Sequence, residues 1–82
     1  MIYDILCAVR DEGQGIRITP LTRRSDLSPQ SFSNYYDELQ EKGFLMETRD
    51  EEDNRLIFLT EKGIRYITEY ETVRRFIKEF EL

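Results

Sequence analysis

Ile18-Thr19-Pro20-Leu21-Thr22-Arg23-Arg24-Ser25-Asp26-Leu27-Ser28-Pro29 decides how this chain is read. Thr19 followed by Pro20 is a helix start, with an acceptor side chain at the cap and a proline at the first helical position, where no backbone N–H is needed. The helix begun there spans about residues 20–26, with Leu21 and Ser25 on one face and Arg23 turned away. Asp26-Leu27 makes the turn, and Ser28-Pro29 repeats the start signal nine residues after the first. Two helix starts so close together, with a turn between them, form one supersecondary unit.

Downstream, a third helix runs from Pro29 to Lys42 and is closed by Gly43. Phe32, Tyr35, Tyr36 and Leu39 fall at i, i+3, i+4, i+7 and form its apolar face. The opposite face carries Gln30, Asn34, Asp37 and Glu41, with Ser31 and Ser33 flanking its first turns. The pattern is that of a helix-turn-helix whose second helix is polar outside, with amides and hydroxyls first and acids after. Residues 44–49 and 55–60 read as strands around Asp50-Glu51-Glu52-Asp53-Asn54, a hairpin with a polar tip. Leu56-Ile57-Phe58-Leu59 is apolar on both faces, so the three helices cover one and helix four or a second chain the other. Thr60 caps a last helix that reaches about Phe80, with Glu61 in the first turn. Along it Tyr66, Tyr70, Val73, Ile77 and Phe80 are spaced 4, 3, 4, 3, the seam of a coiled coil, with Ile64, Ile67 and Phe76 beside it.

Upstream, Ile2, Ile5, Leu6 and Val9 mark a helix over residues 2–12, ended by Gly13 and Gly15, and Ile16-Arg17-Ile18 alternates as a short strand with Arg17 facing out. The whole is one small domain of 82 residues, mostly α with a small β-hairpin (α+β). A core of that size is marginal alone and gains from a partner chain. No stretch approaches the roughly 18 apolar residues of a membrane span. Asp4 stands where a secretory leader carries basic residues, so the expected location is the cytoplasm. A single cysteine, Cys7, excludes an internal disulfide and reads as a buried thiol at a helix contact, with a redox sensor as the other reading.

The formal net charge is −5, and its distribution matters more than its sum. Residues 16–36 carry a net +2, the only basic segment; residues 37–55 carry −5. Catalysis finds no support: histidine is absent, no Gly-rich phosphate loop follows a strand, and paired carboxylates occur only at the hairpin tip. That acidic tip lacks the glycine and spacing of a calcium loop, so neither metal nor cofactor is expected.

The order helix, short strand, helix, helix, two-stranded wing, helix resembles the winged-helix fold. Residues 18–28, followed by Tyr36, Leu39 and Lys42-Gly43-Phe44-Leu45, resemble the helix-turn-helix of small archaeal winged-helix proteins, predicted transcriptional regulators or chromatin proteins. Residues 49–55, ending in Leu59-Thr60-Glu61-Lys62-Gly63, are similar to the wing and following helix start of MarR-type regulators. MarR-type proteins carry extra helices at both ends, which favours the archaeal group. Its smallest members dimerise by antiparallel pairing of C-terminal helices, which implies the same for the seam here.

The expected division is a winged helix-turn-helix DNA-binding domain over residues 1–60 and a dimerisation helix over residues 61–82, packed on the same domain. Gln30, Ser31, Ser33 and Asn34 are the expected base readers, since Asn and Gln pair bidentately with adenine and Ser is tolerant. Ser28 caps the helix and offers its first turn to a phosphate. Arg23 and Arg24 are phosphate contacts or solubilising surface, with the Arg24 stem on the core edge. In the MarR-like reading a wing arginine, Arg49 or Arg55, enters the minor groove and an acid such as Asp53 orients it; the other reading is a cross-strand ion pair. Tyr66, Tyr70, Val73, Ile77 and Phe80 form the dimer interface. The expected function is sequence-preferring binding of double-stranded DNA by a nucleoid-associated homodimer that regulates transcription, with about 4–6 phosphate contacts per dimer. The alternative is a winged-helix module that docks a protein, to which the acidic segment 37–55 is suited.

Overall fold

A computed structural model describes residues 1–80. Its elements are α1 (Ile2–Glu12), α2 (Ile18–Ser25), α3 (Pro29–Glu41), β1 (Leu45–Arg49), β2 (Arg55–Leu59) and α4 (Glu61–Glu79). This is the winged helix-turn-helix arrangement.

The core is assembled from residues far apart in sequence. Ile5 and Leu6 of α1, Leu21 of α2, Leu39 of α3 and Ile57 of β2 are completely enclosed, and Phe32, Tyr36, Leu45 and Ile67 close the set. Each such side chain contributes about 1.5–3 kcal/mol by leaving water, so all six elements are held by one apolar centre. β1 and β2 pair antiparallel from Leu45–Leu59 to Arg49–Arg55, which turns Leu45 and Ile57 inward.

The start of α2 differs from expectation. Residues 16–18 make no strand of their own: Ile16 alone bridges Ile57, exchanging both backbone hydrogen bonds at 3.0 and 2.9 Å. The helix then begins at Ile18, with extended Arg17 as its N-cap and no side-chain cap. Thr19 is therefore inside the first turn and is not the cap. Pro20 is tolerated there because first-turn N–H groups have no helical partner. The cause is tertiary: once Ile16 is fixed to the sheet, the chain must turn at Arg17 to put Leu21 in the core.

The other local signals hold. Ser28 accepts from the Ser31 N–H at 3.2 Å with Pro29 following. Asp26 takes a left-handed conformation (φ 60°) in the turn, and the Leu27 N–H closes onto Ser25 Oγ at 3.3 Å. Thr60 Oγ1 accepts from the Gly63 N–H at 3.1 Å while donating to the Gly43 and Phe44 carbonyls at 2.6 and 3.0 Å, which pins the start of α4 to the end of α3.

The far face of the hairpin is only partly covered. Phe58 lies over Gly15, where a Cβ would come within 2.7 Å of its ring; Leu59, on the inward face with Ile57, packs against Gly63. Met46 stays 47% exposed. On α4 only Gly63 and Ile67 are buried. Tyr66 meets Phe44 edge-on at 5.3 Å, and Tyr70 stacks on Tyr3 of α1 at 4.4 Å, so the first part of the expected seam leans on its own domain. Beyond it the helix projects, giving overall extents of 49 × 26 × 21 Å. There Val73, Phe76, Ile77 and Phe80 are all exposed, with Phe76 and Phe80 in contact at 4.7 Å. Phe76, read as lying beside the seam, therefore belongs to the same exposed strip. The expected dimerisation segment ended at residue 82; residues 81 and 82 lie outside the described residues.

Candidate nucleic-acid interface

The outer face of α3 is set by its apolar face: with Phe32, Tyr36 and Leu39 in the core, the helix has one rotation, and Gln30, Ser33, Asn34 and Asp37 point to solvent. Gln30 Nε2 donates to Asn34 Oδ1 at 3.3 Å, one turn apart. The pair holds two amides side by side, and the free Asn34 Nδ2 and Gln30 Oε1 make no hydrogen bond among the described residues. Such a donor and acceptor suit the edge of an adenine. Ser31 is less available, since its hydroxyl meets Ser28 Oγ at 3.0 Å inside the cap. Ser28 is thus the structural cap.

The arginines divide by partner. Arg23, exposed in the last turn of α2, makes no ion pair among the described residues. Arg24 turns back onto the end of α1, where its guanidinium meets Glu12 at 3.2 Å, Asp11 at 3.5 Å and the Ala8 carbonyl at 3.4 Å. Arg49 donates to the Asp53 carbonyl at 3.0 Å with the Asp53 carboxylate at 3.6 Å, the orienting partner the sequence suggested. Arg55 is tied down: its Nε pairs with Glu47, and its guanidinium lies 5.9 Å from the Tyr36 ring centroid. The Tyr36 hydroxyl donates to the same Glu47 carboxylate at 3.3 Å. One acid thereby joins the wing to α3.

Arg17 is the residue that sequence reasoning passed over. Read only as outward-facing, it stands across a cleft from the wing, its guanidinium 3.9 Å from Asp50. Its place in the only basic segment was the available signal.

Charge follows these contacts. Pairing with Arg55 holds the Glu47 carboxyl below its ordinary range, and hydrogen bonds from Asn54 do the same for Asp50. Burial pushes the Tyr36 hydroxyl up. A carboxyl whose folded pKa is depressed adds stability above its unfolded pKa, about 4.3 for Glu, and that stability disappears as pH falls through the folded value. Glu47→Gln should therefore lower the melting temperature at pH 7 by a few degrees, equivalent to no more than about 1 kcal/mol for a pair this open to solvent. The difference should shrink towards pH 3. Melting curves at both pH values check this; an equal loss at both would mean that Glu47 acts through shape and not charge.

A second helix with a polar outer face, preceded by a turn and a cap and followed by a two-stranded wing, defines a winged helix-turn-helix protein. The chain belongs to the winged helix-turn-helix family, whose pattern it matches over residues 1–78. In three dimensions it is similar to the PcaV transcriptional regulator of Streptomyces coelicolor (TM-score 0.81, 24% identity, 96% of this chain and 60% of that one). It is also similar to a MarR-family transcriptional regulator of Rhodococcus sp. RHA1 (0.76, 27%, 98% and 59%). SSV1 F-93 is matched along most of both chains (0.63, 24%, 92% and 91%). The chain thus spans about three fifths of the length of the first two. No curated protein matches it in sequence.

Proposed function

We propose that this chain binds double-stranded DNA as a homodimer, prefers particular sequences, and regulates transcription. The observation that carries the reading is the outer face of α3, where Gln30, Ser33 and Asn34 are exposed, together with exposed Arg23 of α2, which makes no ion pair among the described residues. Amides and hydroxyls read bases, whereas the flanking arginines supply attraction that is blind to sequence. The acids on the second half of α3 and at the wing tip keep that attraction low, so discrimination is favoured over coating. Residues 1–60 form the DNA-binding part, and α4 the dimerisation element. Support for dimerisation comes from the exposed strip of Val73, Phe76, Ile77 and Phe80, continuous with half-exposed Tyr70. The regulators similar in fold support a role in transcription rather than catalysis. No helix among the described residues is long and apolar enough to cross a membrane, and the site of action we propose is the cytoplasmic nucleoid.

Arg23 and Arg49 from two protomers give at least about four phosphate contacts, hence a slope of log affinity against log salt of −3.6 or steeper, at about −0.9 per contact. Asn34→Ala or Gln30→Ala should cost about 1–3 kcal/mol on a preferred site and relax specificity there. Arg23→Ala should weaken binding to every sequence alike. Fluorescence anisotropy on selected and random duplexes distinguishes these effects. If both kinds of variant bind like the wild type, α3 is not the reader. A wild type that binds no duplex even at low salt would favour protein docking through the same face, to which the acidic segment 37–55 is suited.

A further inference from the structure

We propose that the cleft between the start of α2 and the wing grips the DNA backbone, with Arg17 on one phosphate and Arg49 on its neighbour. The inference rests on the DNA-binding reading and adds to it a site that the arginine count of α2, α3 and the wing leaves out.

The cleft has a volume of about 300 Å³ and is lined by Arg17, Thr19, Arg49, Asp53, Asn54 and Arg55. Three arginines border it, and their local partners differ in strength. Arg55 is committed to Glu47, and Arg49 is steadied by Asp53. Among the described residues Arg17 has only Asp50, at 3.9 Å, and its side chain is 58% exposed. Asp50 is already well supplied with donors. One of its oxygens accepts from the Glu52 and Asn54 N–H groups at 2.9 and 2.8 Å, and the other from Asn54 Nδ2 at 3.2 Å. Those bonds shape the wing tip and persist if Arg17 leaves. An exposed ion pair at this distance holds little free energy, whereas a guanidinium on a phosphate makes two parallel charge-assisted hydrogen bonds. Exchange of Asp50 for phosphate is therefore downhill for Arg17.

Position supports the same conclusion. The Ile16–Ile57 bridge fixes the Arg17 backbone to the wing, and the Leu21 N–H bonds the Arg17 carbonyl at 3.2 Å, which fixes it to α2. Arg17 thus sits at the rigid joint of the helix-turn-helix and the wing. A phosphate backbone that passes from one to the other runs across it. Thr19 adds a neutral hydroxyl donor to the same wall; Asp53 is the acid in its lining, and Asp50 meets Arg17 beside it.

The test measures salt dependence with the full chain on random and selected duplexes. With Arg17 counted, two protomers make about six phosphate contacts, and the wild-type slope is about −5.4. Arg17→Gln should bring it to about −3.6, weaken random and selected sites by the same factor, and leave the melting temperature unchanged. Arg17→Lys, which keeps the charge, should retain the steeper slope. A wild type that binds DNA while Arg17→Gln keeps its slope overturns this site and leaves the DNA-binding reading standing. The site is equally overturned if Arg17→Lys flattens the slope as much as Arg17→Gln, because charge would then not be the cause. Failure of the wild type to bind duplex DNA at low salt overturns both.

Discussion

Replacing Val73 and Ile77 together with glutamate is expected to convert a dimer into a monomer and to weaken binding to a two-fold symmetric DNA site by about 100-fold or more, the advantage that linking two recognition units confers. Within one chain these side chains support nothing: Val73 is 56% exposed and Ile77 42%. Glutamate also suits a helix better than valine or isoleucine, so α4 should persist. In a dimer the same positions would bring carboxylates from both chains into an apolar seam, where desolvation and mutual repulsion act against association. Sedimentation and circular dichroism should show a lighter particle with unchanged helix content. A wild type already monomeric at tens of micromolar would sink the dimer, as would a double variant that still sediments as one.

Gly63→Ala should unfold much of the population or lower the melting temperature by 10 °C or more. In a helix this exchange ordinarily stabilises by about 1 kcal/mol, so the expected effect is opposite in sign. A Cβ at Gly63 would collide with the Phe44 carbonyl oxygen and lie 2.6 Å from Leu59 Cδ1. The carbonyl cannot easily retreat, because it accepts from both the Thr60 N–H at 3.1 Å and Thr60 Oγ1 at 3.0 Å. Relief requires shifting α4 away from the sheet, which opens the contact made by Ile67. Overpacking of this kind costs about 1–3 kcal/mol or more, and each kcal/mol is worth about 4–8 °C in a domain of this size. Thermal melts decide the matter; an alanine variant as stable as the wild type would mean that α4 does not dock here. The glycine of the Leu59-Thr60-Glu61-Lys62-Gly63 run is thus explained by close approach of helix to backbone.

What could be read directly from the chain was what is encoded within one turn of helix or one strand pair. Ser28-Pro29 and Thr60 cap their helices because a side-chain oxygen reaches an N–H three residues on, whatever lies elsewhere. The spacing of Phe32, Tyr36 and Leu39 fixed the rotation of α3, and with it the outward face of Gln30 and Asn34. Arg49 finds Asp53 four residues along. The rest depended on groups brought together by folding. Thr19-Pro20 is consistent with a proline at several first-turn positions, and only the hydrogen bonds between Ile16 and Ile57 chose one. For Arg24 and Arg55 the chain left two readings open, DNA contact or a local role; Asp11 and Glu12 capture the first and Glu47 the second, from 8 to 13 residues away. The heptad spacing of α4 showed an apolar stripe but not its division: Tyr66 and Tyr70 lean on Phe44 and Tyr3, and Val73, Ile77 and Phe80 are left uncovered. Periodicity and capping are local and additive along the chain. Which charge meets which, and which part of a stripe is already covered, is decided by the packing of one core.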